Sequence, residues 1–168
     1  MDLKNKLKIY IDNNLIEEKP RKIKLFSKTN YSYMEDYCEA SRLGTNVKDY
    51  IDEHEKYNDF QTMLFKFIDD KNLKDSDVYN KVHIDRRLFS KIRSDKNYHP
   101  SKETIILLAI ALELSENELD ELLDSASYSL PKNNKYDLII RFCFINKIFK
   151  LTDINELLYE YKCKLFNC

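Results

Sequence analysis

Six basic residues and one acid lie between positions 86 and 102: Arg86, Arg87, Lys91, Arg93, Lys96 and Lys102 against Asp95. Cations at that density on a short stretch attract an anionic partner locally. The chain as a whole does not. Its 28 basic and 29 acidic residues leave a net charge of −1, so any binding to nucleic acid or to an anionic membrane must come from such a patch. The charge by segment isolates it. Residues 1–30 carry +4, residues 31–56 carry −4, residues 57–128 carry −4 and residues 129–168 carry +3. The run of +5 over 86–102 therefore sits inside an acidic stretch.

Other chemistry is poorly supported by spacing. His83 and His99 flank the basic run, and Ser90, Ser94 and Ser101 are near them in sequence. A hydrolytic His/Ser pair needs a third orienting group and backbone donors for an oxyanion, and no spacing here supplies them. No catalytic residue is assigned and no enzyme activity is expected. Cys38, Cys143, Cys163 and Cys168 form no CxxC pair, and His54, His83 and His99 show no ligand spacing with them, so no metal site is expected. Free thiols of a reducing compartment are the simpler account, with Cys143 on a buried helix face. The single glycine, Gly44, excludes glycine-rich phosphate cradles and a GxSxG elbow, and no cofactor is expected. No apolar run approaches the ~20 residues of a membrane span, and the opening residues alternate charged and apolar positions rather than forming a signal sequence. A cytoplasmic protein with no membrane partner is the expectation. The twelve tyrosines are spread over every segment, which reads as core and surface packing.

The elements that must position the basic run are helical. Few glycines and prolines, with many Leu, Ile, Lys and Glu, point to an all-α chain whose caps are not glycine. Leu3, Leu7, Ile11 and Leu15 recur every fourth residue and predict an amphipathic helix over 2–15. Residues 16–56 hold no sustained period beyond a short helix near 47–56 and read as an irregular arm. From Phe60 the pattern becomes regular. Phe60, Leu64, Phe67 and Ile68 mark one helix, Val78, Tyr79 and Val82 a second, and Leu88, Phe89 and Ile92 a third capped by Asp85. Ser101 opens a fourth with Ile105, Leu108, Ala109 and Leu112 inward. Ser115 and Glu118 form a capping box for a fifth with Leu119, Leu122 and Leu123. Beyond Pro131, the run Tyr136 to Phe149 is apolar on one side through Leu138, Ile139, Phe142, Cys143, Ile145 and Ile148. Thr152-Asp153 would cap a last helix from Ile154 to about Lys164. Three regions follow: an N-terminal helix and arm over 1–56, a five-helix domain over 57–128, and a two-helix extension over 129–168.

The run Asn72-Leu73-Lys74-Asp75 through Arg86-Arg87-Leu88-Phe89-Ser90-Lys91-Ile92-Arg93 resembles the lambda-repressor-like, XRE-type helix-turn-helix family. Pro100-Ser101-Lys102-Glu103-Thr104 and Leu108-Ala109-Ile110-Ala111-Leu112 nearly reproduce the family's proline-serine-x-x-threonine and leucine-x-x-alanine-x-alanine-leucine patterns. The resemblance covers 60–126, and the two-helix tail looks like that of an uncharacterised group of bacterial proteins. It implies a third helix, Arg86 to about Ser94, presented to the major groove of double-stranded DNA. Arg86, Arg87, Ser90 and Lys91 would then face base edges with Arg93 nearby, and arginine suits guanine O6 and N7. Lys96, Tyr98 and Lys102 would meet phosphate. A transcriptional regulator is implied, acting as a homodimer through the apolar C-terminal helices.

Three residues motivate a second reading. His83 stands where the family's turn commonly requires positive φ, Tyr79 where a small residue lets two helices approach, and Asp75, with Asp77 behind it, where phosphate would be met. These suit a protein-interaction adaptor that keeps the repressor-like fold without binding DNA. The N-terminal helix could then dock in a partner's groove or back on the tail.

Overall fold

The structure, a computed structural model, describes residues 2–16 and 59–167. Among the described residues there are eight helices and no strand: α1 (Leu3–Asn14), α2 (Phe60–Asp70), α3 (Asp75–Lys81), α4 (Arg86–Ser94), α5 (Lys102–Ala111), α6 (Glu116–Asp124), α7 (Lys135–Ile145) and α8 (Leu151–Glu160). The chain is all-α there. The arm over 17–56, with the short helix expected near 47–56, lies outside the described residues.

Two helices are apolar nearly all round and become the centres of packing, as an all-round apolar helix must. α5 buries Ile105, Ile106, Leu108, Ala109, Ile110 and Ala111 against α3 and α6. α7 buries Leu138, Ile139, Ile140, Phe142, Cys143 and Phe144 between α1, α6 and α8. Cys143 is fully covered, and burial pushes its thiol up to about 12, which leaves it an inert packing residue. Ile145, expected inward, is instead 45 % exposed, because it stands on the last turn of α7 at the rim of a cleft with Leu114 and Phe149. The N-terminal helix takes the second of its two expected placements. Leu7 and Ile11 of α1 are buried against α7, and the Tyr10 ring lies 5.5 Å from that of Phe142.

Asp85, Ser101 and Ser115 cap helices as the sequence indicates, and Asp59 and Asn134 add two further caps. Asp59, Asp85, Ser101 and Ser115 each accept a backbone N–H from the first turn of α2, α4, α5 and α6, and Asn134 does so for α7. The Ser115–Glu118 capping box is complete. The Ser115 backbone N–H holds the Glu118 carboxyl below its usual range, so this contribution is present near neutral pH and is lost as the solution becomes acidic. The last helix differs from expectation. It starts at Leu151 after Lys150, which makes no side-chain cap, and it stops at Glu160 because the backbone turns at Lys162.

The C-termini show what replaces glycine. Asn72, His83, Glu113, Ser127, Lys147 and Lys162 have φ between 50 and 57°, one after each of α2, α3, α5, α6, α7 and α8. Each donates its N–H to the residue three back, and the following residue donates five back, as in Ile84 to Tyr79 at 2.9 Å and Ile148 to Cys143 at 2.8 Å. These are Schellman closures, in which the residue after the closure is apolar: Leu73, Ile84, Leu114, Tyr128, Ile148 and Cys163. A side chain at such a φ costs roughly 1–2 kcal/mol that glycine does not. Lys147→Gly and Lys162→Gly are each expected to raise stability by about 1 kcal/mol, a gain of some 2–4 °C in Tm by calorimetry. A melting point unchanged or lowered in both would refute the account.

The chain end forms a strap. Asn155 donates to the Phe166 carbonyl at 3.0 Å and accepts the Phe166 N–H at 2.9 Å, and Lys164 pairs with Glu103 of α5 at 2.7 Å. This seats Leu165, Phe166 and Asn167 in a small cleft with Val82, His83, Ile84 and Asp85 between α3 and α4.

Candidate nucleic-acid interface

α4 owes its orientation to three side chains. The helical period puts Leu88, Phe89 and Ile92 on one side, where Phe89 and Ile92 are buried and Leu88 half-buried. The opposite side holds Arg86, Arg87, Ser90, Lys91, Arg93 and Ser94, all exposed and without an acid among them. The acid that precedes the helix is engaged: Asp85 accepts the Arg87 backbone N–H at 2.6 Å as the N-cap.

The turn before α4 is short and pinned. Val82 and Ile84 are buried on either side of His83, whose φ of 55° is the positive value expected at that position. Tyr79 fills space between α3 and α4. Its ring lies 5.5 Å from Phe89, and the Phe65 ring meets Phe89 edge-on at 6.2 Å. At its other end α4 lacks the left-handed closure of its neighbours, and Asp95 remains extended. The carbonyls left without helical partners are met from α2, where Gln61 Nε2 donates to the Ile92 carbonyl at 2.7 Å and to that of Arg93. α4 is thus fixed at both ends.

The candidate residues separate into three groups. Arg86 and Arg87 are exposed and form no ion pair among the described residues, and Ser90 stands beside them. Lys91 lies with Nζ 4.4 Å from the centre of the Tyr98 ring, a cation–π contact that joins α4 to the following loop, where Lys96 is exposed. Arg93 and Lys102 are held by the protein itself. Arg93 Nη2 donates to Asp75 Oδ1 at 2.6 Å, and its guanidinium stacks on Phe65 with Cζ 4.0 Å from the ring centre. Lys102 reaches α7, where its Nζ lies 2.6 Å from Asp137 Oδ1. Asp137 is 2 % exposed, so Lys102 neutralises a buried carboxylate instead of facing phosphate.

The α3 side adds neighbours that the spacing of the basic run does not show. A cleft of about 390 Å³ separates α3 from α4 and is lined by Lys74, Asp75, Ser76, Tyr79, Arg86, Phe89, Ser90 and Arg93. Lys74, at the N-cap of α3, joins the patch through this cleft; its signal was its place just before the helix. Asp75 does not project as a free acid, because Arg93 neutralises it, whereas Asp77 is exposed.

Most of α7 is covered within the protomer, while Ile145 at its end and Tyr159 of α8 stay exposed. A second cluster of charges explains part of that cover. Arg141 of α7 pairs with Asp120 through both guanidinium nitrogens at 2.8 and 2.9 Å and with Glu116 at 2.7 Å, both on α6, and these carboxylates raise its already high pKa. Among the described residues no group of three or more His, Cys, Asp or Glu is arranged to hold a metal, and no helix is long and apolar enough to cross a membrane. No protein-family model, curated protein or solved structure matches the chain.

Proposed function

We propose that the protein is a non-enzymatic, DNA-binding transcriptional regulator of the lambda-repressor-like helix-turn-helix kind, with α4 as its recognition helix. The observation that carries this reading is the acid-free outer face of α4, where Arg86 and Arg87 stand unpaired among the described residues at the end nearest the turn. B-DNA's major groove, about 12 Å wide, admits such a helix, and an arginine there meets guanine O6 and N7 through two parallel N–H bonds. Ser90, which lines the α3–α4 cleft together with Arg86, adds a hydroxyl. Lys91, stacked on Tyr98, and Lys96 supply the phosphate contacts that set the helix in register. Lys102 takes no part, being paired with Asp137.

The test is fluorescence anisotropy with duplexes from the gene's own upstream region over a series of salt concentrations. Wild type should bind, and Arg86→Ala combined with Arg87→Ala should weaken binding at least about tenfold. An unchanged affinity in that double variant, or no binding by wild type at low salt, overturns the reading. Because one short helix reads few bases, the regulator is proposed to bind as a homodimer. Its contact would draw on the apolar side chains that the C-terminal helices leave outside, Ile145 and Tyr159, at 45 and 74 % exposure.

The adaptor reading draws on the exposed Asp77, which would repel phosphate beside the cleft. It does not draw on α1, whose apolar stripe is taken up by α7. Failure of duplex binding together with stoichiometric co-purification of another protein would favour it.

A further inference from the structure

We propose that Asp75 is an internal stand-in for phosphate on Arg93, and that a phosphate group entering the α3–α4 cleft takes the carboxylate's place. The inference rests on the DNA-binding reading, which it deepens by naming what limits affinity at that site. Arg93 is prepared for an oxyanion. Its backbone is fixed by Gln61, and its guanidinium carbon lies over the Phe65 ring, which leaves its N–H groups for acceptors. One of those edges now meets Asp75 Oδ1 at 2.6 Å, in the geometry a phosphate oxygen would adopt.

The pair is not locked away. The side chains of Arg93 and Asp75 are 53 and 34 % exposed, and the cleft beside them is open. It also holds Lys74, Arg86, Ser76 and Ser90: with Arg93, three cations and two hydroxyls surround one carboxylate. A lone anion meeting Arg93 gains little, because Asp75 already neutralises it. A phosphate that reaches Lys74 and the Ser76 and Ser90 hydroxyls as well gains enough to displace the carboxylate. Asp75 thereby weakens stray anion binding and favours a phosphate presented in register with α4. The phosphodiester of a duplex and free phosphate share this chemistry.

The experiment compares wild type, Asp75→Asn, Asp77→Asn, Arg93→Gln and Asp75→Asn/Arg93→Gln. Duplex anisotropy over a salt series is one arm. The other is the NMR response of the Arg93 side-chain Nε–H to inorganic phosphate, with Asp75→Ser replacing Asp75→Asn if that variant does not fold. Asp75→Asn should tighten duplex binding about three- to fivefold and steepen the salt slope by about 1. Asp77→Asn, which removes the same charge from the same helix without freeing a guanidinium, should do less, and the gain should vanish when Arg93 is glutamine. Equal effects of Asp75→Asn and Asp77→Asn, or a gain that survives Arg93→Gln, overturn the proposal. If no variant binds duplex but phosphate perturbs Arg93 more strongly in Asp75→Asn than in wild type, the DNA reading falls and free phosphate is the occupant. If neither probe binds, both fall.

Discussion

Lys102→Met is expected to cost about 3 kcal/mol of stability while leaving the salt dependence of duplex binding unchanged. Lys102 Nζ is the cation that faces Asp137, and that carboxylate is 2 % exposed near the start of α7. Without it, a buried charge is left with the favourable end of the α7 dipole as its main support, a contribution of at most ~2 kcal/mol. The lysine's own 26 % exposure places the cost toward the lower end of what breaking a buried pair entails. Urea titration should show the loss, and calorimetry a Tm lower by some 6–12 °C. Replacing both partners, Lys102→Met with Asp137→Leu, should recover most of it, because two apolar side chains of similar volume need no neutralising. A lysine that met phosphate would behave in the opposite way. A Lys102→Met protein that melts with wild type but loses about one unit of salt slope would return Lys102 to the interface.

Leu7→Ala should cost a further large amount, about 2–5 kcal/mol. Leu7 has no exposed surface, and it sits where α1 crosses α7. Truncation leaves a cavity in a helix pair that is tied elsewhere: Lys4 reaches Glu156 at 2.9 Å, and the Ile16 N–H donates to the Lys132 carbonyl at 3.0 Å. If α1 were a free arm awaiting a partner, the same substitution would leave the denaturation midpoint where it is and would instead reduce the recovery of that partner. The equilibrium midpoint therefore separates a core helix from a docking peptide in one measurement.

The sequence makes helices legible wherever apolar residues repeat with a helical period, and their starts wherever Asp or Ser precedes them. That covers the outer face of α4: Arg86, Arg87, Ser90 and Lys91 follow from the buried phase of Phe89 and Ile92. The same local reasoning cannot see a partner supplied by another element. Arg93 meets Asp75 from 18 residues away, and Lys102 meets Asp137 from 35, pairings that no local pattern shows. The boundary near 128 illustrates the same limit, because Lys102–Asp137 and Arg141–Asp120 cross it in space. Helix ends were half legible. Of the left-handed residues that close them, Lys147 and Lys162 are neither glycine nor asparagine, the types that would mark them in the sequence.

The strap at Phe166 also makes the chain a ready optical sensor. Asn155 clasps the backbone there, so Asn167 stays beside His83 and Asp85, at the mouth of α4. A fluorophore attached at Asn167 would sit beside the turn that opens α4, without altering any residue of that helix. Its emission would report motion of the strap against that turn, and Asn155→Ala, which removes both hydrogen bonds to the Phe166 backbone, should change it.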